Sequence, residues 1–572
     1  MAKKMTKKTA KNTAVDTSTG DFLVYIMGIC PFFLGLCRHW QMFAAAAVVL
    51  LGILLIRGMY GSLQIYRNRS LIAVLIIFLC AVLTIFLGIS GGEAAYGCGM
   101  LLAAGVWILL MMQVPDRDRK RALSIVPSVG VVMAACCGLL YLVPEWKVFV
   151  FEGNRLAGFF QYSNTMALYL LIGLLIFLWE EYVEPEEKGR EKKRWKTCSY
   201  PLILMAGILW TGSRTTTIML IVVLIVLLIK CPKARRYYGI LIVAGGAAIV
   251  IYAWISGNTS GFVRILTLGQ SSTFLGRLLY WQDAAGIIAD HPLGLGYLGY
   301  YFVHTALQHG VYVLRYVHNE WIQFFLDYGI VAGAAFCYLF IRELKKSRGL
   351  CRWILVLMGF HMLMDFDLQY LIIVWMMLTC MDWQEGKKTE VSLRHPVTVC
   401  SVVVFFVIFL WMGLADLFQQ SGNYQLADAL YPWRVETKEQ LMLDADEADE
   451  IEGYAQELLK LDPYSGAACD MLALLSMERE DYADMVTYKE RALRLQPYRI
   501  EKYEDYVADL RIAIESCKPG TKEYQSYVNR LLEVPELLEN VEEHTAALAY
   551  RIADKPDFSL SEDAVDYIES FR

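Results

Sequence analysis

Several short stretches of the chain carry residue types able to do chemistry at a membrane surface. Asn154, Arg155, Gly158, Gln161 and Asn164 stand just before an apolar run. Thr211, Gly212, Ser213 and Arg214 form a polar turn between two apolar runs. Arg264, Gly276, Arg277 and Trp281 lie in a long loop, and His318, Asn319 and Glu320 stand where that loop enters the next apolar run. His361, Asp365 and Asp367 edge two later runs, and the four-residue spacing of His361 and Asp365 predicts a structural pair on one helical face. Arginine near a membrane end often snorkels to lipid headgroups, which accounts well for Arg264 and partly for Arg155. It fits Arg214 less well, because apolar runs flank that residue and no other charge is near. Ionisable groups in such places are costly and are kept for pairing or for substrate.

Several guanidiniums beside a histidine suit a diphosphate substrate. Arginine offers a rigid, permanently charged fork to phosphate oxygens. A departing diphosphate needs its growing charge compensated, and a neutral histidine can take a proton from an attacking hydroxyl. The two long loops at 144–163 and 256–318 hold no Asp-x-Asp pair. Metal-independent chemistry without a cofactor follows as the expectation.

Such groups need elements to position them, and hydropathy supplies those. The chain of 572 residues is 56% hydrophobic and only 19% charged, with a mean hydropathy of +0.40. Apolar runs at 22–37, 41–57, 70–88, 97–114, 123–143, 164–179, 198–212, 215–230, 238–255, 319–341, 352–364, 368–382 and 396–415 predict an all-α membrane bundle of about 12–13 spans. Basic residues order them. With the basic N-terminal tail inside, Arg57, Arg67, Arg69, Arg117, Arg119, Arg121, the 189–196 stretch, Lys230, 342–348 and Lys387–Arg394 all fall in inner loops. The loops at 144–163, 211–214 and 256–318 then face outward. The N-terminus is expected in the cytoplasm, the first apolar run as an uncleaved anchor, and the C-terminus outside a bacterial inner membrane.

Charge divides the chain again. Residues 421–572 contain 34 acidic and 16 basic side chains, net −18, whereas the whole chain is −5 and its first 420 residues therefore +13. The expected organisation is a basic tail at 1–20, a membrane domain at 21–415 and an extracytoplasmic helical domain at 416–572. In that domain LKLDPYS at 459–465 and LRLQPYR at 493–499 place Pro463 and Pro497 34 residues apart, the period of tetratricopeptide repeats. ALYPWR at 429–434 reads as a degenerate earlier copy, and 503–533 as a weaker later one. Stacked repeats form a solenoid that serves either as a spacer or as a platform for an envelope partner. Most of the 14 cysteines sit in apolar runs and no CxxC occurs; Cys469 and Cys517 are the two in the tail, where a bridge is conceivable outside the cell. Nothing points to nucleic acid.

Four blocks, in order, resemble the O-antigen ligase and polymerase superfamily: RLAGFFQYSNTMALYL from 155, TGSRTTTIML from 211, GRLLYWQDAAGIIADHPLGLGYLGY from 276 and VHNEWIQFFLDYGIVAG from 317. The resemblance covers roughly residues 20–415. It implies transfer of a glycan from a polyprenyl-diphosphate carrier to an acceptor hydroxyl of a glycan, lipid or protein on the outer face, without metal or nucleotide. Arg214 and Arg277 would grip the diphosphate and His318 would activate the hydroxyl. Asn319 and Glu320 would support them, Arg155 and Asn164 would shape the entrance, and Arg264 and Trp281 would line the substrate path. The chain departs from the pattern at Tyr162-Ser163, where relatives often have Asn-Pro, and in its appended acidic domain. Polymerase and ligase stay open, with the appended repeats favouring polymerase or a ligase for a glycan other than lipopolysaccharide. A non-enzymatic scaffold or a lipid-linked glycan transporter are the alternatives. A peptidoglycan-type transferase would need a catalytic acid in the long loop, where Asp283 and Asp290 are available outside any such motif.

Overall fold

The computed structural model describes residues 19–58, 60–184, 194–230 and 272–572, with scattered positions between 235 and 247. The basic tail, the run at 238–255 and Arg264 fall largely or wholly outside the described residues.

Every apolar run within the described residues is helical. They are α1 (Thr19–Phe32), α2 (His39–Gly58), α3 (Arg69–Leu87), α4 (Gly91–Gln113), α5 (Asp116–Tyr141), α6 (Ser163–Tyr182), α7 (Ser199–Thr211) and α8 (Arg214–Lys230). After the long loop, which contains α9 (Ser272–Asp290) and α10 (Gly299–Leu307), come α11 (Glu320–Lys346), α12 (Gly349–His361), α13 (Leu371–Thr379) and α14 (Pro396–Gln420). Seven of these helices are long and apolar enough to cross a membrane. The protein is an all-α, multi-pass membrane protein.

The expected span at 368–382 is shorter than predicted. It consists of a turn at Asp367–Gln369 and the nine residues of α13. Nine residues rise about 14 Å, roughly half of a hydrocarbon core about 30 Å thick. With α12 it forms a hairpin whose tip, 362–370, carries Asp365 and Asp367. Indole stacking holds α13 to α4: Trp107 and Trp375 lie 4.3 Å apart, and Trp107 Nε1 donates to Thr379 Oγ1 at 3.0 Å.

Burial sorts the helices. Over its most apolar stretch α6 is 78% buried, so it forms the centre of the bundle, whereas α14 is only 11% buried. An apolar helix exposed all round is stable only in hydrocarbon, because its backbone is internally satisfied and its side chains need no water. At one end of the bundle, β1 (Ser62–Arg67) pairs antiparallel with β4 (Lys387–Ser392), and Arg119 Nη1 donates to Met381 O at 2.8 Å. The described basic loops thus gather at that end, opposite the long loop.

Beyond α14 the chain continues as α15 (Tyr424–Leu430), α16 (Val435–Asp444), α17 (Ala448–Leu461), α18 (Gly466–Glu478), α19 (Tyr482–Leu495), α20 (Ile500–Ser516), α21 (Lys522–Glu543) and α22 (Glu562–Glu569), most packing on their sequence neighbours. Pro432, Pro463 and Pro497 each stand two residues after a helix end, in equivalent turns. Cys469 and Cys517 are both free thiols.

Candidate active site

The site is assembled from four loops at the end of the bundle that faces the long loop. A short hairpin of β2 (Phe151–Glu152) and β3 (Arg155–Leu156) presents Arg155. Arg155 Nε donates to Thr211 O at 2.9 Å and Nη2 to Asn164 Oδ1 at 2.7 Å. It therefore fastens the Thr-Gly-Ser-Arg turn to the start of α6. Gly212 has φ +63, a left-handed conformation that a side chain disfavours, and this sharp reversal separates α7 from α8. Arg214 is the first residue of α8 and is half-buried.

Asp365, at the hairpin tip, is the hub. It is 2% exposed. Tyr162 donates its hydroxyl to Oδ1 at 2.6 Å, and Asn164 Nδ2 donates to Oδ2 at 2.6 Å. Two cationic or ionisable groups approach without closing: Arg277 Nη2 at 3.8 Å from Oδ2 and His318 Nδ1 at 3.6 Å from Oδ1. Burial pushes the Asp365 carboxyl up, but His318, His361 and Arg277 more than offset it and hold the acid below the usual carboxylate range. Burial, and then the Asp365 charge, push the Tyr162 phenol up, so it stays a donor.

His318 has φ +54, and its ring meets Phe366 edge-on at 5.0 Å. The next residue, Asn319, caps α11 by accepting from Ile322 N at 3.2 Å. Glu320 is buried and accepts from Leu368 N at 2.7 Å, which ties α11 to the hairpin tip. These two residues hold protein backbone.

His361 pairs with Asp367 rather than with Asp365, because α12 ends at His361 and the chain turns before Asp365. His361 Nδ1 lies 2.5 Å from Asp367 Oδ2, Thr165 Oγ1 donates to Asp367 Oδ1 at 2.8 Å, and Thr216 Oγ1 lies 3.2 Å from His361 Nε2. An Asp-x-Asp spacing therefore does occur, at 365–367, but its carboxylates turn to different partners. Among the described residues no group of three or more His, Cys, Asp or Glu side chains is placed to hold a metal ion.

The relative position of Arg277 and His318 is set by backbone. Leu295 N donates to Leu326 O at 2.7 Å, Gly296 N to Asp327 O at 2.9 Å and Ile330 N to Pro292 O at 2.9 Å. The helix α11 breaks at Gly329, where φ is +83 and an added Cβ would lie 2.5 Å from Leu293 C. The His-Pro-Leu-Gly-Leu-Gly loop after α9 is thereby locked onto α11. Asp283 is consumed within the loop, accepting from Tyr312 Oη at 2.6 Å and lying 2.9 Å from His309 Nδ1. Sequence reasoning singled out Arg155, Asn164, Arg277 and His318, which the fold brings around one carboxylate. It missed Asp365 as that carboxylate, and Tyr162. The available signal was an acid between apolar runs with no base beside it in sequence.

Residues 201–337 match the family model described as O-antigen ligase. Over that stretch the chain is similar to O-antigen ligases. The match runs from α7 into α11 and takes in Arg214, Arg277 and His318, while Arg155, Asn164 and Asp365 lie outside it. No curated protein and no solved structure matches the chain. The similarity to O-antigen ligases supports a membrane glycan-transfer role in surface polysaccharide assembly.

Proposed function

We propose that this protein moves a glycan from a polyprenyl-diphosphate carrier to an acceptor hydroxyl on the outer face of a bacterial inner membrane, as polymerase or ligase, without metal. The observation that carries this reading is a set of unanswered buried donors. Among the described residues, the buried Arg277 Nε, Trp281 Nε1 and His318 Nδ1 have no hydrogen-bond partner. Buried polar atoms are nearly always paired, so an orphaned guanidinium nitrogen beside Asp365 calls for a ligand rich in acceptor oxygens. Arg214 adds to the same potential. A cation at a helix N-terminus opposes the macrodipole, and the arrangement is useful where an anion binds.

The acceptor oxygen attacks the anomeric carbon, its proton passes to His318 Nε2, and the bond from that carbon to the diphosphate oxygen breaks. The carrier leaves as the polyprenyl diphosphate, with its charge met by Arg277 and Arg214. Single displacement inverts the anomeric centre. Asp365, facing Nδ1, compensates the imidazolium as it forms. Asn164 and Arg155 hold Asp365 in place, and Arg264 is assigned to the path by its loop position alone. The repeat-like domain stands outside the cell, as a tetratricopeptide-type platform for the acceptor or for an envelope partner.

The test is transfer from a purified polyprenyl-diphosphate glycan in proteoliposomes with a chelator present, comparing wild type with Arg277→Ala, Arg214→Ala and His318→Ala. Release of carrier by wild type, abolished in folded variants, supports the proposal, and product length separates polymerase from ligase. An authentic donor–acceptor pair that yields no release from any of these proteins favours a scaffold or a transporter.

A further inference from the structure

The helix that carries Arg277 has two working faces. Arg277 and Trp281 are four residues apart and form one stripe, from which Arg277 reaches to 3.8 Å from Asp365. Leu275, Leu279 and Asp283 form another, about 200° around the helix from the first. The second stripe is where the end of the chain returns. Leu275, Leu279 and Tyr312 form one buried apolar cluster with Ala549 and Ile552. Backbone bonds flank the contact: Ala546 N donates to His309 O at 2.9 Å, and Ala553 N donates to Ser272 Oγ at 2.6 Å, on the first residue of α9. At Gly310 an added Cβ would lie 2.7 Å from the Ala549 Cβ, so the strap and the loop touch with no room between. Asp283 completes the stripe by holding His309 and Tyr312 from below.

We infer that the terminal segment 546–553 is a positioning element for the transfer site, pressing α9 so that Arg277 and Trp281 stay aimed at the reacting diphosphate. The inference rests on the assignment of Arg277 to that reaction. The physical case is one of anchoring. Arg277 makes no close ion pair of its own, its nearest carboxylate oxygen being 3.8 Å away. The C-terminal face of α9 is locked through the 292–296 loop, and its N-terminal half is held by the strap across Ser272, Leu275 and Leu279. The strap in turn leans on the repeat-like helices, where Tyr498 Oη lies 3.1 Å from Thr545 Oγ1. The acidic domain is thus part of the machinery that shapes the site, and its last residues act through Arg277 without touching substrate.

The test uses the full chain in proteoliposomes with a polyprenyl-diphosphate glycan donor. Ile552→Asp is expected to lower kcat by roughly 10- to 100-fold, the cost of a misplacement of about 1 Å, and to speed amide exchange across 272–290. Arg479→Ala, on the exposed repeat surface, serves as the unaffected control. A merely structural loss would multiply with damage at Arg277, whereas a positioning role would not. Adding Ile552→Asp to Arg277→Lys should therefore cost under about threefold more. Full multiplication of the two losses would overturn the inference, as would unchanged kcat and exchange in Ile552→Asp. If Ile552→Asp does not fold, the pair Ser272→Cys/Ala553→Cys is added to Ile552→Ala. Activity recovered on oxidation and lost on reduction supports the strap, and activity indifferent to the bridge overturns it. An Arg277→Lys enzyme as fast as wild type would instead refute the role of Arg277 itself.

Discussion

Two charged clusters are buried at the end of the bundle that faces the long loop, and they are built for opposite purposes. One surrounds Arg434, which is 3% exposed. Its Nε donates to Glu93 Oε1 at 3.1 Å, its Nη1 to Asp416 Oδ1 at 3.3 Å, and its guanidinium lies 4.0 Å from the Tyr96 ring centroid. Asp416 also accepts from Trp40 N at 2.9 Å, and Glu93 from Val435 N at 3.1 Å. Among the described residues, Glu93 Oε2 is the one oxygen of the network without a partner. The other cluster surrounds Asp365, where the carboxylate is satisfied by neutral donors while Arg277 and His318 stand off at 3.8 and 3.6 Å. The first closes on itself and fastens the acidic domain to the bundle. The second keeps its cationic groups uncommitted. Charge burial alone therefore does not mark a site.

The comparison breaks most sharply under substitution. His318→Ala and Arg277→Ala should lower transfer by about 10² to 10⁴ with little change in melting temperature, measured by carrier release and by thermal unfolding in detergent. A large fall in melting temperature with proportionate activity would make the Asp365 cluster structural as well. Arg434→Ala should do the reverse. It leaves Glu93 and Asp416 buried without their cation, which costs about 3–5 kcal/mol. The variant should release the C-terminal domain to protease far faster than wild type, and unaltered protease resistance would contradict the anchoring role.

A weaker contrast concerns pH. Burial raises the Asp462 carboxyl, in the turn after α17, to about 7 from an ordinary value of 3.8. The folded state then holds its proton more tightly than the unfolded one. Stability on this account is full below about pH 4, falls as pH rises towards 7, and stays reduced above it, by on the order of a few kcal/mol. Wild type should unfold at a higher temperature at pH 5 than at pH 8, and Asp462→Asn should flatten that slope. The smallest effect belongs to Gly212→Ala. Its φ of +63 costs an L-residue about 1 kcal/mol. Transfer should drop modestly through Arg155 and Arg214, and a drop as large as that of Arg277→Ala would give the turn a greater share of the chemistry.

Much of the architecture was legible in the residues because hydrocarbon imposes a simple rule. Any segment crossing it must satisfy its own backbone, so apolar length alone predicted nearly all the described helices of the bundle. The break at 211–214 was legible too, from four polar residues between apolar runs. The failures share one cause. The span expected at 368–382 and the pair expected between His361 and Asp365 both assumed an unbroken helical register. The chain instead turns at 362–370, where Met362 O accepts from Glu320 N and Leu368 N donates to Glu320 Oε1.

By itself the sequence determined the helices of the bundle and the charge contrast between it and residues 421–572, because each follows from local composition and solvent. Tertiary structure alone decided which carboxylate the arginines and histidine would surround, which buried cation would be fully paired, and that residues 546–553 would return to Leu275 and Leu279. Most of those contacts join segments more than 40 residues apart, about 270 for the strap. Local pattern carries no term for them, and only the packed fold brings the groups within the few ångströms over which hydrogen bonds and dispersion act.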